Sequence, residues 1–482
     1  MIPDLVVIGA GSAGITAARN AASLGATVLL VERDKPGGDC LWTGCVPSKA
    51  LLAAARAAHA VRTAGRFGVR VLDPPKVEFA AVLDYVRGVQ REIEPVDSAE
   101  GLAAAGIKLV TGSARFTGRR ELMVDGEAMH FRTALVATGS APLLPDLPGL
   151  DEAPVLTSDT VWEMEKLPSR LVVLGGGAIG CEFGQAFGRL GCDVTVVEVE
   201  ERLLPAEEPA VSRVLADVLL AEGVRVLTGA TPLRWSDGEL LIRSSDGVEE
   251  SLPGDALLVA VGRRPRTDEL GLDAAGVHTD PGGHLAVDTR LRTSNRRIYA
   301  AGDVTGAPPF THVAVAHGAV AAHNAVLGPW RTAPTDALPW VVFTDPEVAR
   351  VGLTVAAARE LPGQLKVRRV SAAHVDRAVA EGRGEGFSVL VGDSRGRLVG
   401  ATLVSPHAGE SITELGAVLQ RSGRLRDIAD LVHPYPTFAE GPWLAATQQR
   451  RAELGRPRAR RLVAAARWAY DLWLRVRWPG NR

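Results

Sequence analysis

The chain of 482 residues has 46% hydrophobic and 23% charged residues, a globular composition too long for one core, and its length predicts about three domains. Four cysteines are too few for a secreted disulfide scaffold, and no uninterrupted apolar run reaches a membrane span. The formal net charge of −2 is uneven: residues 456–482 hold Arg456, Arg458, Arg460, Arg461, Arg467, Arg475, Arg477 and Arg482 against Asp471, which is +7 and leaves −9 for the body. The first strand begins at Asp4 with no signal-peptide pattern before it, so the expected compartment is a reducing cytoplasm.

Asp4 to Ile8 reads as an apolar strand running into Gly9-Ala10-Gly11-Ser12-Ala13-Gly14. An alanine-rich helix follows, and the next strand, Ala26 to Val31, ends at Glu32. Strand, GxGxxG, helix, strand and acid in register are a dinucleotide fingerprint. Gly9, Gly11 and Gly14 let the backbone approach a pyrophosphate at a helix N-terminus, and Glu32 accepts from a ribose hydroxyl.

Next come two thiols five residues apart, in Gly37-Gly38-Asp39-Cys40-Leu41-Trp42-Thr43-Gly44-Cys45-Val46-Pro47-Ser48-Lys49. A regular helix holds residues i and i+5 roughly 8 to 9 Å apart, and a disulfide needs less than about 7 Å between Cα atoms. If Cys40 and Cys45 bond, the segment between them is a distorted turn or a loop, with Gly44 supplying the freedom; the alternative is two unpaired buried cysteines. Pro47 places Cys45 at a helix N-terminus, where the dipole favours a thiolate, and Lys49 adds positive charge one turn on.

Residues 53 to 105 read as mostly helical with a Pro74-Pro75 break, and strands then run from Gly112-Ser113-Ala114-Arg115-Phe116 to Ala134-Leu135-Val136-Ala137-Thr138-Gly139-Ser140. Pro142 to Pro154 is a proline-rich boundary. The fingerprint then returns as strand Leu171 to Leu174, the glycines Gly175, Gly177 and Gly180, a helix, and strand Val194 to Val197 ending in Glu198. Two dinucleotide sites imply two cofactors, the arrangement for passing a hydride from a nicotinamide to a flavin. Glu198 favours the free 2′-hydroxyl of NADH over the 2′-phosphate of NADPH, and Arg202 is the one neighbour that softens the choice. Cys181 and Cys192 read as packing residues, with no CxxC spacing to support a metal site.

The run GGDCLWTGCVPSKALL resembles the redox-active signature of the class I flavoprotein disulfide reductases, which include dihydrolipoamide dehydrogenase, glutathione reductase and mercuric reductase. Further matches extend to about residue 450. The resemblance implies that Cys40 exchanges with substrate, that Cys45 faces the flavin as a charge-transfer thiolate, and that Lys49 lies near the flavin and pairs with Glu182. It implies FAD contacts from Ala114, Thr138, Gly139, Asp303 (in Tyr299-Ala300-Ala301-Gly302-Asp303) and Ala314 (in Thr311-His312-Val313-Ala314), and assigns Gly262 of the VGRRP run to the end of the nicotinamide domain. The implied fold is α/β: two Rossmann-like domains, for FAD (1–145 and 266–333) and NAD(P) (146–265), an α+β dimerisation domain (334–450) that completes the partner subunit's active site, and a tail (451–482).

One departure matters. His433-Pro434-Tyr435-Pro436-Thr437-Phe438-Ala439-Glu440 corresponds to a family HxHPTxSE run, in which a histidine oriented by the glutamate moves protons on substrate thiols. Here Tyr435 stands at that position and Glu440 remains. A phenol with a pKa of about 10 is a poor base at neutral pH. Mercuric reductase is similar here in having tyrosine, although the paired C-terminal cysteines and N-terminal metal-binding domain of that enzyme are absent. Alternation along an extended segment turns His433 and Tyr435 to one side, and His433 reads as structural.

From Leu462 onward, apolar residues recur at helical spacing among arginines and Trp468. Such a helix suits either an anionic membrane surface or the body of the dimer, and no nucleic-acid module is present. The reading is a homodimeric FAD enzyme that takes hydride from NAD(P)H, NADH favoured, and passes electrons through Cys40 and Cys45 to a metal ion, a disulfide or a quinone. Dihydrolipoyl dehydrogenase is the alternative, and a catalytically weak, membrane-docked flavoprotein is the rival from another class.

Overall fold

Five parallel strands make the first sheet, in the order Ile298–Ala300, Thr133–Val136, Leu5–Ile8, Val28–Glu32 and Ile107–Thr111. The central strands are continuous runs of buried Leu, Val and Ile because both faces are covered. Helices Ser12–Ser23 and Thr311–Leu327 cover one face with small residues such as Ala17, Ala18, Ala21 and Ala321. They approach so closely that a Cβ on Gly318 would sit 2.3 Å from the Ala13 carbonyl oxygen. A three-stranded antiparallel sheet, Ala114–Gly118, Glu121–Val124 and Glu127–His130, packs Phe116 and Leu122 on the other face with Phe131. The strand Ile107–Thr111 was not predicted. It is a half-exposed edge strand interrupted by Lys108, so its apolar signal is weak.

The computed structural model describes residues 2–73 and 75–477. Pro74 of the predicted break and Arg482 of the basic tail lie outside the described residues.

The second sheet repeats the plan: Arg225–Leu227, Asp193–Val197, Arg170–Leu174, Ala256–Val259 and Val155–Leu156, all parallel. An antiparallel sheet of Thr231–Ser236, Glu239–Arg243 and Glu249–Pro253 buries Trp235, Leu240 and Leu252 against it. The first sheet takes its strand Ile298–Ala300 from beyond this whole second sheet. A short ribbon, Ser140–Pro142 paired with Arg263–Pro265, links the two. Both sheets lie in one compact unit, Met1–Pro205 with Leu215–Thr335.

A second unit, Ala206–Val214 with Asp336–Arg482, is built on a five-stranded antiparallel sheet: Pro339–Val342, Glu347–Gly352, Leu398–Ser405, Phe387–Gly392 and Lys366–Ser371. Helices Ala408–Gln420 and Glu440–Leu454 bury Ile412, Leu415, Ala445 and Ala446 in its core. The helix Pro457–Arg477 follows, starting earlier than Leu462, and none of its described side chains is buried.

The two fingerprint turns are near copies in geometry. A Cβ on Gly14 would lie 1.9 Å from the Gly9 carbonyl oxygen, and one on Gly180 would lie 1.9 Å from that of Gly175. Gly180→Ala therefore forces the second turn apart, at a cost of about 1–3 kcal/mol. The expected result is a lower melting temperature and weakened nucleotide binding at the second turn, with nucleotide binding at the first turn retained because that turn is untouched.

Candidate active site

The segment between the two cysteines breaks the helix. Gly38–Trp42 forms one short turn, and a new helix, Cys45–Thr63, begins at Cys45 itself with Gly44 as its N-cap. The amides of Thr43 and Gly44 both donate to the Asp39 carbonyl. A Cβ on Gly44 would sit 2.8 Å from that oxygen, so only glycine fits the break. The two thiols consequently stand about 3.9 Å apart, closer than a regular helix allows.

Several side chains hold this segment from outside. Trp162 Nε1 donates to the Thr43 carbonyl at 2.9 Å, and the buried Gln90 donates to the carbonyls of Leu41 and Trp42 at 3.1 and 2.9 Å. Toward the first fingerprint, Gly37 N donates to the Ala10 carbonyl at 2.9 Å. A Cβ on Gly38 would lie 2.6 Å from the Gly11 Cα, so the cysteine segment is laid directly against the dinucleotide turn.

The electrostatics separate the thiols. Cys45 is lowered to about 6, first by a hydrogen bond from Cys40, then by one from Thr311 and by the charge of Lys49. Its sulfur lies 3.1 Å from Thr311 Oγ1, at the start of the helix Thr311–Leu327. Cys40 is pushed well above the ordinary thiol range, because it donates to Cys45 and is partly buried. Lys49 Nζ pairs with Glu182 at 2.9 Å, and Glu182 is nearly buried rather than a solvated helix charge. The arrangement is a thiol donating to a thiolate that sits at a helix N-terminus.

A second network surrounds Asp39, the residue before Cys40. Arg263 and Arg266 both pair with its carboxylate, Arg266 at 3.1 Å. Arg263 Nε also donates to Ser140 Oγ at 2.7 Å, and that hydroxyl donates to Asp303 at 2.6 Å. Thr138 Oγ1 donates to the Arg266 carbonyl at 2.7 Å, and the Arg266 amide to the Gly139 carbonyl at 3.0 Å. Thr138, Gly139 and Asp303 are thus brought together around two arginines that sequence reasoning passed over. The signal was present in Arg263 and Arg266 after Gly262 and in the acid beside Cys40, but no local pattern joins residues so far apart.

The two dinucleotide turns fit their cofactors. Glu32 accepts from the Ala10 amide at 2.6 Å and the Asp34 amide at 3.1 Å; Glu198 accepts from the Gly176 amide at 2.6 Å and the Glu200 amide at 2.9 Å. Each acid is thereby fixed beside its glycine turn. Nothing lies within 4 Å of a Cβ built on Gly177, Gly139 or Gly262, and at Gly11 the nearest atom is 3.9 Å away, which is room for a pyrophosphate to approach the backbone. Ala314 packs against Gly302, next to Asp303, while Ala114 opens the antiparallel strand Ala114–Gly118. Arg202 donates to the Pro205 carbonyl in its own loop.

In the second unit, Tyr435 bonds Asp376 and not Glu440. The exposed Tyr435 hydroxyl donates to Asp376 at 2.7 Å, which raises its pKa above the ordinary phenol value. Glu440, raised mainly by burial, leaves one carboxylate oxygen without a hydrogen-bond partner. His433 and Tyr435 also point apart, contrary to the alternation argument. His433 is half-buried beside Trp443 and bonds Glu414 at 3.1 Å, because residues 431–437 form an irregular loop and not a strand. Cys181 and Cys192 are buried, and burial pushes Cys192 up to about 12 and Cys181 higher. Among the described residues no cluster of three or more His, Cys, Asp or Glu side chains is placed to hold a metal ion.

The chain was compared with known proteins. The model of the family described as pyridine nucleotide-disulphide oxidoreductase matches residues 3–318, and that family's dimerisation domain matches residues 338–446. Mercuric reductase from Streptomyces lividans is 40% identical over 92% of this chain and 95% of its own length. Dihydrolipoyl dehydrogenase from Thermus scotoductus is 38% identical over 92% of this chain and 96% of its own. Among solved structures, the Cu(II) complex of the HOCl-induced flavoprotein disulfide reductase RclA from Escherichia coli superposes with a TM-score of 0.83 at 27% identity, covering 93% of this chain and 99% of that one.

Two predictions follow from the thiol geometry and its clamp. In the reduced protein, thiolate absorbance and alkylation by iodoacetamide should titrate with a midpoint of about 6, set by Cys45. Thr311→Val and Lys49→Met should each move that midpoint upward, since each removes an interaction that favours the thiolate, and Glu182→Gln should move it downward. Asp39→Asn should release Arg263 and Arg266 and lower stability by roughly 1–2 kcal/mol, discounted for their partial exposure and read as a lower melting temperature.

Proposed function

We propose that this chain, which belongs to the pyridine nucleotide-disulphide oxidoreductase family, takes hydride from NADH and delivers the electrons through Cys40 and Cys45 to a thiophilic metal ion. Membership makes it a flavoprotein enzyme, an FAD-dependent, NAD(P)H-linked oxidoreductase with a redox-active cysteine pair and a dimerisation domain that makes it a homodimer. Bound FAD supplies the two-electron relay between nicotinamide and dithiol. Gly9, Gly11, Gly14, Glu32, Ala114, Thr138, Gly139, Asp303 and Ala314 are assigned to hold it, and Gly175, Gly177, Gly180, Glu198 and Gly262 to hold the nicotinamide nucleotide. Cys45 keeps the negative charge of the reduced pair, with Lys49 and Glu182 setting the field beside it. Cys40 exchanges with the acceptor.

Tyr435 carries the choice of acceptor. Oxidising a dithiol needs a base for the substrate thiols, and a phenol held above its ordinary pKa by Asp376 does not supply one at neutral pH. A metal ion already bound as a thiolate complex needs none. The mercuric reductase relatives and a structural neighbour solved with Cu(II) support this reading. Dihydrolipoamide oxidation is the second reading, favoured by the relatives of that name. The proposed preference for NADH rests on Glu198, an acid at the end of the second strand held beside its glycine turn, since a carboxylate there repels a 2′-phosphate.

The test is steady-state NADH oxidation with Hg(II) or Cu(II) thiolate complexes, a quinone and lipoamide. Turnover is expected with the metal complexes and should be lost in Cys40→Ser and Cys45→Ser. Tyr435→His should raise dithiol oxidation by about tenfold or more. Rapid turnover of dihydrolipoamide by the unaltered protein would falsify the metal-ion assignment, as would a quinone reduced equally well without Cys40.

A further inference from the structure

The helix Pro457–Arg477 begins beyond residue 446, where the match to the dimerisation domain ends, and its side chains serve neither the antiparallel sheet's core nor the site. Helical spacing puts Leu462, Ala466, Ala469, Leu472, Trp473 and Val476 on one face and Arg460, Arg467, Asp471 and Arg475 on the opposite one. Leu462 and Val476, at the two ends of the apolar stripe, are 73% and 76% exposed, and Trp468 is 68% exposed. Tyr470 stacks on Trp473 at 5.7 Å and the Arg477 guanidinium lies 5.3 Å from the same ring, so aromatic and cationic groups are gathered together.

At the root of this helix lies a cavity of about 240 Å³ whose lining is almost wholly basic: Lys366, Arg395, Arg424, Arg426 and Arg456, with Glu453 as its single acid. Glu453 is taken by Lys366 at 2.7 Å. Among the described residues no carboxylate is within ion-pair distance of Arg395, Arg424 or Arg456. Arg456, which lines the cavity, directly precedes the helix at Pro457, so a basic cavity adjoins a helix that carries a basic face and an apolar stripe.

Charge and the exposed apolar stripe together point to the occupant. A second copy of the helix would bring the same arginines face to face, with Asp471 as the one acid to offset them. A surface bearing phosphates complements them. The described residues include no helix long and apolar enough to cross a membrane, so the contact is one of lying on a bilayer, not spanning it.

We propose that Pro457–Arg477, with the arginine-lined cavity at its root, docks this enzyme on an anionic phospholipid bilayer, the apolar stripe seated at the acyl boundary, the arginines on lipid phosphates, and one headgroup in the cavity. The tryptophans sit at the headgroup level, where one edge of an indole is wet and the other apolar. The proposal concerns where the reductase works and is independent of its acceptor.

The test uses the full-length FAD-loaded protein with vesicles of phosphatidylcholine alone and of phosphatidylcholine and phosphatidylglycerol in equal parts. Co-sedimentation and a blue shift of tryptophan emission are expected with the anionic vesicles only, weakening with added salt. Neutralising an arginine of the polar face should cost about fivefold in vesicle affinity, and the triple change Arg460→Glu, Arg467→Glu, Arg475→Glu should abolish binding while NADH turnover with a soluble acceptor is unchanged. Leu472→Ala with Trp473→Ala should remove the blue shift, and Arg395→Gln should weaken binding while the emission maximum of the fully bound protein stays as in the unaltered protein. Equal binding to neutral and anionic vesicles overturns the proposal. So does tighter binding to duplex DNA than to anionic vesicles, or a higher oligomer in solution that the Leu472→Ala, Trp473→Ala protein fails to form.

Discussion

The site depends on one contact: two cysteine side chains about 3.9 Å apart across a helix break, of which Cys45, at the helix N-terminus, is the one favoured as thiolate. Two residues five apart on a regular helix are too far to share a proton or a bond. Gly44 removes that obstacle by letting the chain turn on the Asp39 carbonyl, and the same break restarts the helix at Cys45. The residue that brings the sulfurs together therefore also gives one of them the positive end of a helix dipole. Thr311 and Lys49 reinforce the effect from other parts of the chain, and Cys40 supplies the first hydrogen bond. Proximity and polarity have one backbone cause.

Around that contact the fold is a pair of parallel sheets with the same internal plan. Each has a glycine turn whose third glycine closes against the first, an acid fixed by a backbone amide of the turn, and an antiparallel sheet buried on one face. The short ribbon between the sheets, Ser140–Pro142 with Arg263–Pro265, does more than connect them. It carries Arg263 and Arg266 back to Asp39, so the end of one dinucleotide domain clasps the residue beside the reactive thiol of the other. Ser140 and Asp303 extend the clasp beyond the ribbon. A change at the ribbon is thus felt at the cysteine turn through charged contacts as well as through packing.

The second unit shows how a family pattern is altered without losing its frame. Glu440 remains, but Tyr435 turns to Asp376, and His433 is half-buried beside Trp443. A hydroxyl that donates to a carboxylate is held as an acid, so this position is tuned away from proton abstraction. That preference bears on the acceptor, whereas the electron path through the sulfurs is common to the family.

The sequence by itself determined the two fingerprints, the cysteine turn and the C-terminal helix, because each is a local pattern. Glycines sit where backbones must close on one another, acids end strands, and apolar residues recur at helical spacing. The edge strand Ile107–Thr111 escaped notice because half-exposed, lysine-bearing strands carry little periodic signal. Only the tertiary structure decided the partners of Asp39, Lys49, Cys45 and Tyr435. Their contacts are with Arg263, Glu182, Thr311 and Asp376, residues far away along the chain, and electrostatic pairing of this kind leaves no local pattern to read. It is likewise the folded chain that set the unpaired arginines of the basic cavity beside the last helix, since three separate loops must converge before their charges add.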